Sequence, residues 1–166
     1  AGTGARTVTV QGLDASYNEI EETLTVDGAV STKSFLRVYR AFVASAGSLQ
    51  TNKGNVLVST GASGGGTVVA DIGIIGTGTT FGLGQTQLSL YTIPAGKTGY
   101  LCNWNVGIGN YNDTATATLY TRETGNGLIF RTRDIMDIPG GLHQRTYTVP
   151  FALPEKTDIE IRAIAT

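Results

Sequence analysis

Short stretches in which apolar and polar residues alternate recur along this sequence, and they limit its fold more than any other feature. Val8 and Val10 alternate with Thr7, Thr9 and Gln11, and the same period of two returns elsewhere. Successive side chains of a β-strand point to opposite faces, so this alternation predicts strands with one buried face. Clusters of Gly, Pro, Asn and Asp separate the stretches about every ten residues, and no long stretch has apolar residues at helical spacing. The sequence therefore predicts an all-β chain.

We expect about nine to eleven short antiparallel strands. The best-patterned ones cover residues 6–12, 20–27, 35–46, 56–59, 87–93, 98–108, 114–120, 144–153 and 157–165. Strand 98–108 is the expected centre of the core, because Tyr100, Cys102, Trp104 and Val106 share one parity. Cys102 is accordingly expected to be a small buried side chain.

Strands of this number and spacing predict a single antiparallel β-sandwich over residues 1–166, with jelly-roll-like or immunoglobulin-like connectivity. Residues 61–84 are rich in Gly, which has no side chain to pack and weakens a strand. We expect a strand near residue 68 and an irregular segment after it. The alternative is that this Gly-rich segment separates two small subdomains.

Charge and cysteine content exclude several kinds of partner. The 12 basic and 13 acidic residues leave a net charge of −1, which gives no electrostatic attraction to nucleic acid or to an anionic membrane. The longest strongly apolar run, residues 67–75, is too short to span a bilayer as a helix. A single cysteine allows no intrachain disulfide and no multi-cysteine zinc site. We expect no nucleic-acid partner, no membrane partner, and no metal or other cofactor.

Residue types that perform catalysis are few in this chain. His143 is the only histidine and no Gly-x-Ser-x-Gly motif accompanies it, which favours a surface loop histidine. Asp134, with Asp137 or Glu123, is the nearest approach to the two carboxylates of a glycoside hydrolase. The charges around Asp134 are, however, typical of an exposed hairpin. We therefore expect a protein that is not an enzyme.

Two further clusters have simple interpretations. The acidic residues Asp14, Glu19, Glu21 and Glu22 lack the regular spacing of a calcium-binding loop, so they are predicted to lie on a solvated turn and strand face. The glycines at positions 76, 78 and 82 lack the spacing and the lysine of a phosphate-binding loop. Neither cluster predicts a site.

Aromatic residues offer one candidate ligand contact. Aromatic side chains stack on sugars in carbohydrate-binding modules, and the residues considered for such a role are Tyr91, Tyr100, Trp104, Tyr111 and Tyr120. Trp104 shares the parity of apolar neighbours and is expected in the core. Tyr111 lies in a predicted turn, which makes it the candidate contact residue.

Several stretches resemble a family of virion structural proteins of tailed bacteriophages, particularly marine ones. The resemblance lies in Ala1-Gly-Thr-Gly-Ala-Arg and the residues that follow to Asp14, and in residues 18–28, 35–40, 46–48, 91–101 and 154–163. These stretches occur in order and reach both ends of the chain. The family has no catalytic motif, so the resemblance transfers no functional residues.

This resemblance implies a component of the virion that is present in many copies, either a capsid decoration protein or a subunit of a tail or fibre. Expected partners are further copies of the chain, with a trimer favoured, and the major capsid or tail proteins. A nearly neutral chain suits dense packing of identical subunits because it avoids mutual repulsion. The alternative is a tail or fibre module that binds a host surface glycan.

Overall fold

Antiparallel strands make up the regular structure of the computed structural model, which describes residues 3–75, 81–110, 112–124 and 129–165. Its strands are β1 (Ala5–Leu13), β2 (Glu19–Thr25), β3 (Arg37–Ala46), β4 (Val56–Ser59), β5 (Val68–Ile72), β6 (Ile74–Ile75), β7 (Phe81–Gly82), β8 (Leu90–Thr92), β9 (Gly99–Ile108), β10 (Ala115–Glu123), β11 (Arg131–Ile138), β12 (Gly141–Leu153) and β13 (Thr157–Ala165). A short 3₁₀ turn spans Ala62–Gly64. The all-β prediction is confirmed.

The number of strands exceeds the prediction partly because β6 and β7 have only two residues each. Such short strands show no alternation that a sequence pattern can detect. Both lie in the Gly-rich segment 61–84, which is therefore less irregular than expected. Residues 76–80 of that segment lie outside the described ranges.

The chain forms two compact units, Ala1–Leu88 and Ser89–Thr166, called unit 1 and unit 2 below. The boundary falls shortly after the Gly-rich segment. A single domain over 1–166 and a jelly-roll-like or immunoglobulin-like connectivity stay predictions. Each unit contains antiparallel sheets packed around one apolar cluster, as in a β-sandwich.

In unit 1, a three-stranded sheet of order β2-β1-β3 packs against the two-stranded sheet β4-β5. The shared core contains Val8, Val10, Ala41 and Ile72, all buried. Val8 and Val10 are the alternating residues that predicted β1, and they point to the core as expected. Alternation in the sequence therefore identified the buried face of β1.

Asn52 fixes the Gly-rich part of unit 1 from within. Its side chain is fully buried, and its Nδ2 donates to the carbonyl oxygens of Gly54, Ile72 and Gly73 at 2.9, 3.1 and 2.9 Å. The Oδ1 atom accepts from the amide of Gly84 at 3.0 Å. One amide side chain thus provides the partners that the backbone needs where β5 and β6 meet.

In unit 2, the sheet of order β11-β10-β13-β8 packs against the pair β12-β9. The core residues are Trp104, Ala117, Leu119, Met136 and Ile138. Trp104 is only 4% exposed, which confirms its predicted place in the core. Each sheet contributes its inward-facing side chains to this cluster, and this explains the alternating burial of β10.

The prediction that Cys102 is buried is wrong, because Cys102 is exposed. Asn103 pairs with Thr146 while Leu101 pairs with Phe151, so β12 has extra residues opposite Cys102. This bulge reverses which parity of β9 faces inward. Leu101 contacts the core before the bulge and Trp104 after it, whereas Tyr100 is 66% exposed.

The residues around Asp134 form a hairpin with the preceding strand, as expected, although Asp134 itself is half-buried. These residues belong to β11, an edge strand that pairs with β10. Arg131 and Arg133 are exposed, whereas Met136 and Ile138 are buried. The alternation of β11 is hard to recognise in the sequence, because its inward-facing residues are apolar only in the second half of the strand, at Met136 and Ile138.

Candidate functional site

A cleft of about 640 Å³ opens in unit 1 between its two layers. Val8, Val10 and Val38 form an apolar floor, and residues 24–31 and 55–62 form the walls. The lining also includes hydroxyl groups, those of Ser31, Ser34 and Thr60. A cleft of this size and lining is a candidate binding site.

Residues 28–34, called the strap below, form part of one cleft wall and are held to β2 by Glu22. The Glu22 carboxylate accepts from the amide and hydroxyl of Thr32 at 3.1 and 2.7 Å, from the amide of Lys33 at 3.2 Å, and from the hydroxyl of Ser31. Hydrogen bonds from Ser31 and Thr32 lower the pKa of Glu22 to about 2. The hydrogen bonds of this ionised carboxylate therefore hold the strap against β2.

Lys33 makes a second contact between the strap and β2. Its Nζ donates to the carbonyl oxygen of Glu21 at 2.6 Å. This ammonium group therefore covers one main-chain acceptor on the outer edge of β2, where no further strand pairs within the described residues.

Unit 2 exposes large apolar side chains on both of its layers. On the β12-β9 layer, Val149 is 80% exposed, Leu142 73% and Tyr100 66%. On the four-stranded layer, Ile164 and Ile135 are exposed as well. These exposed apolar side chains are the candidate contacts of unit 2 with other molecules.

A polar cluster joins the two layers of unit 2. The Asp134 carboxylate accepts from the Tyr147 hydroxyl at 2.7 Å and from Trp104 Nε1 at 3.1 Å, and it pairs with Arg145 at 3.2 Å. Desolvation would raise the pKa of Asp134, but the hydrogen bonds outweigh it and the pKa is lowered. Burial and the bond to Asp134 raise the pKa of Tyr147 to about 12. Both groups keep their usual protonation states at neutral pH, which indicates a structural role.

The three carboxylates considered for glycoside cleavage have separate partners. Asp134 belongs to the polar cluster, Asp137 accepts from the Thr116 hydroxyl at 2.9 Å, and Glu123 pairs with Arg133 at 2.6 Å. Each acid is engaged with a neighbouring strand. The structure thus does not bring a facing pair together.

The other predicted residues fall in varied places. Tyr111, the candidate contact residue, lies outside the described residues. His143 lies in β12 rather than in the expected loop, where it pairs with Val106, and its Nε2 is 2.8 Å from the carbonyl oxygen of Gly140. The acidic cluster divides, because Asp14 accepts bonds within its own turn while Glu22 holds the strap.

Two features are absent from the described ranges. No group of three or more His, Cys, Asp or Glu side chains there is arranged to hold a metal ion. No helix in the same residues has the length and apolar character needed to cross a membrane.

A second, shallower cleft of about 360 Å³ lies in unit 2. Tyr91, Asn103 and Asn105 line it, with Ile159 and Ile161 beneath. An aromatic ring beside two amides combines apolar contact with hydrogen-bonding groups, which is the chemistry that sugars require.

Sequence reasoning missed Glu22 and Asn52. In the sequence Glu22 is one of several neighbouring acids, and its donors Ser31 and Thr32 lie beyond the Asp27-Gly28 turn. Asn52 had the sequence context of a turn residue. In both cases the contacts join segments that no local pattern connects.

Compared with protein-family models, curated proteins and solved structures, the chain gave no match in any of the three. The assignment of a function therefore depends on the surfaces of the two units and on the resemblance described above.

Proposed function

We propose that this protein is a non-enzymatic structural component of a bacteriophage virion, which self-associates and docks on the capsid or the tail. The observation that supports this most is the exposure of large apolar side chains on both layers of unit 2. A subunit within an array needs contacts on more than one side, and exposed apolar surface provides the driving force for them.

The charged side chains also fit a subunit that packs closely with others. Several exposed or half-buried arginines are paired within the chain, as Arg133 with Glu123, Arg122 with Asp158, and Arg162 with Glu160. Paired charges leave little net field between identical subunits, and the chain as a whole has a net charge of −1. Association then depends on apolar contact rather than on charge.

Light scattering of the purified chain at several concentrations tests self-association. We expect a mass that is a multiple of 17.4 kDa, with three copies favoured. The double variant Leu142→Lys, Val149→Lys should shift the mass toward the monomer. The double variant Gln144→Lys, Thr148→Lys is the matched control, because it adds the same two charges at exposed positions of β12 and removes no apolar group. A wild-type monomer at all concentrations would count against self-association.

Location in the virion is tested separately. A gold-labelled antibody against the chain, applied to tailed phage particles from the source of the sequence, should decorate heads or tails in electron micrographs. The control is that the same antibody binds the purified recombinant chain. If it does and the particles still carry no label, the proposal is contradicted.

The second cleft supports a second candidate, a tail or fibre module that binds a host glycan. Tyr91 is 39% exposed beside Asn103 and Asn105. Binding to a glycan array that is lost in Tyr91→Ala and kept in Tyr100→Ala would favour this candidate. An array without any binding would exclude the sugars it contains.

A further inference from the structure

We propose that the cleft of unit 1 is a slot for an extended protein segment that pairs with the open edge of β4 and places apolar side chains on the cleft floor. The segment belongs to a neighbouring subunit of the particle. The inference thus rests on the proposed function and names the contact by which subunits are joined.

The edge of β4 is open on the side of the cleft. Within the described ranges β4 pairs with β5 alone. Every residue from 55 to 62 lines the cleft. Because successive side chains of a strand point to opposite faces, a surface lined by consecutive residues of β4 runs along the edge of the strand. The cleft therefore exposes main-chain donors and acceptors to its occupant.

The valines of the cleft floor and of the β4 wall beside it have the spacing of a strand. Val8 and Val10 stand two residues apart on β1, and Val56 and Val58 do so on β4. All four side chains belong to the core of unit 1 or pack against it. In an extended segment with an apolar residue at every second position, the apolar side chains have the same spacing as these valines and can pack against them. Main-chain pairing then provides affinity, and the alternate side chains provide specificity.

The open edge of β4 favours an extended occupant over a helix. The four residues of β4 span about 13 Å at the rise of a strand, and an extended segment can form hydrogen bonds with the main chain along that length.

Charge limits the occupant further. The two ionisable residues that line the cleft are engaged within unit 1, because Asp27 accepts from the Thr25 hydroxyl at 2.7 Å and Lys33 donates to the carbonyl of Glu21 at 2.6 Å. Both carboxylate oxygens of Glu22, beneath the strap, also accept hydrogen bonds from strap residues. A charged group entering the slot would lose its hydration without gaining a partner. The complementary segment is therefore uncharged.

An open strand edge beside exposed apolar side chains promotes unwanted pairing unless it is covered. Leu57, in the middle of β4, is 51% exposed. Insertion of a segment would cover both the Leu57 side chain and the edge.

Three peptides test the slot in the intact chain. The probe is the labelled peptide Thr-Val-Thr-Val-Thr-Val-Thr with acetylated and amidated ends. One control has the same composition with its three valines consecutive, and another has Pro in place of the central Val, which removes a main-chain donor. We expect the alternating peptide to bind at least tenfold more tightly than either control by fluorescence anisotropy, and to slow amide exchange at residues 56–59.

Leu57→Lys supplies a matched variant at an exposed position, so its folding is not at risk. We expect it to weaken binding of the alternating peptide at least tenfold. Leu49→Lys is the control, because Leu49 is an exposed leucine of the same unit that does not line the cleft. Equal binding of all three peptides, or unchanged exchange at β4, would overturn the inference.

Failure of the slot and failure of the proposed function give different results. If the chain is found in particles but the alternating peptide does not bind, the virion role stands and the slot is wrong. If the peptide binds as expected but particles lack the chain, the strand pairing stands and the neighbouring subunit is not a virion protein.

Discussion

A Cβ atom on Gly82 would lie 2.0 Å from Oδ1 of Asn52. Glycine is required at position 82 because the buried amide of Asn52 occupies the space of a side chain. The same amide accepts from Gly84 and donates to three carbonyl oxygens. Asn52 and Gly82 therefore form one interlocked pair that holds the Gly-rich segment.

Replacing Asn52 should destabilise unit 1. Asn52→Ala leaves three carbonyls and one amide without this partner, and the Ile72 carbonyl among them is buried. We expect the free energy of unfolding to fall by about 2–4 kcal/mol. Urea unfolding followed by far-UV circular dichroism, with amide exchange at β5, measures the loss. Asn55→Ala is the control, because its side chain makes one exposed contact with Asp71. A loss no larger than that of Asn55→Ala would contradict the central role of Asn52.

Gly82→Ala tests the same pair from the other side. The added methyl group must displace the Asn52 amide, so we expect a loss of stability similar to that of Asn52→Ala. Gly54→Ala is a matched control, because a Cβ at position 54 meets nothing within 4 Å. Equal stabilities of the two glycine variants in the urea experiment would show that residue 82 has room for a side chain.

The strap should open in acid. The pKa of Glu22 is lowered to about 2 in the folded chain from an ordinary value of 4.5. A lowered pKa contributes stability that is present above 4.5 and is lost as the pH falls through 2, because the unfolded strap binds the proton first. Protection factors for amide exchange in residues 28–34 should therefore fall as the pH is lowered from 4.5 to 2, while those in the core strand β1 stay higher.

Glu22→Gln should open the strap at neutral pH as well, because a neutral amide replaces the ionised acceptor. Thermolysin digestion measures this, and Glu19→Gln serves as the control because it changes the same charge on β2 away from the strap. A strap that is equally resistant in both variants would show that Glu22 is not its fastening.

Unit 2 should lose stability in alkali. Tyr147 has its pKa raised to about 12 from 10. A raised pKa contributes stability that is present below pH 10 and is lost as the pH rises to 12, where the Tyr147 phenolate would face the Asp134 carboxylate. Trp104 is the only tryptophan and lies in this cluster, so its fluorescence reports unfolding of unit 2.

Tyr147→Phe should reduce the stability of unit 2 by about 1 kcal/mol at neutral pH and flatten its dependence between pH 10 and 12. Tyr100→Phe, at an exposed position, should keep that dependence. Identical alkaline curves for the two variants would rule out the hydroxyl of Tyr147 as the group that titrates.

Cys102 should react rapidly in the native protein. Its thiol is exposed, so a thiol reagent such as dithionitrobenzoate should label dilute native protein about as fast as unfolded protein. If native protein is labelled at least a hundredfold more slowly than unfolded protein, the thiol of Cys102 is buried, as the sequence pattern predicts.

Local patterns determined much of the fold. The alternation around Val8 and Val10 located β1 and its buried face, and the concentration of large side chains in 98–108 located the strand of Trp104. The period of two is a property of a single strand, so a single stretch of sequence reveals it. The all-β class, the turns between strands and the core position of Trp104 follow from such local information.

Tertiary structure alone decided the features that depend on a second segment. The bulge of β12 exposes Cys102, and Ser31 and Thr32 turn Glu22 from one acid among several into the fastening of the strap. The open edge of β4 and the valine floor beside it exist only once two sheets have packed. Pairing register and side-chain partners join residues far apart in the chain, and the alternation within one strand carries no information about them.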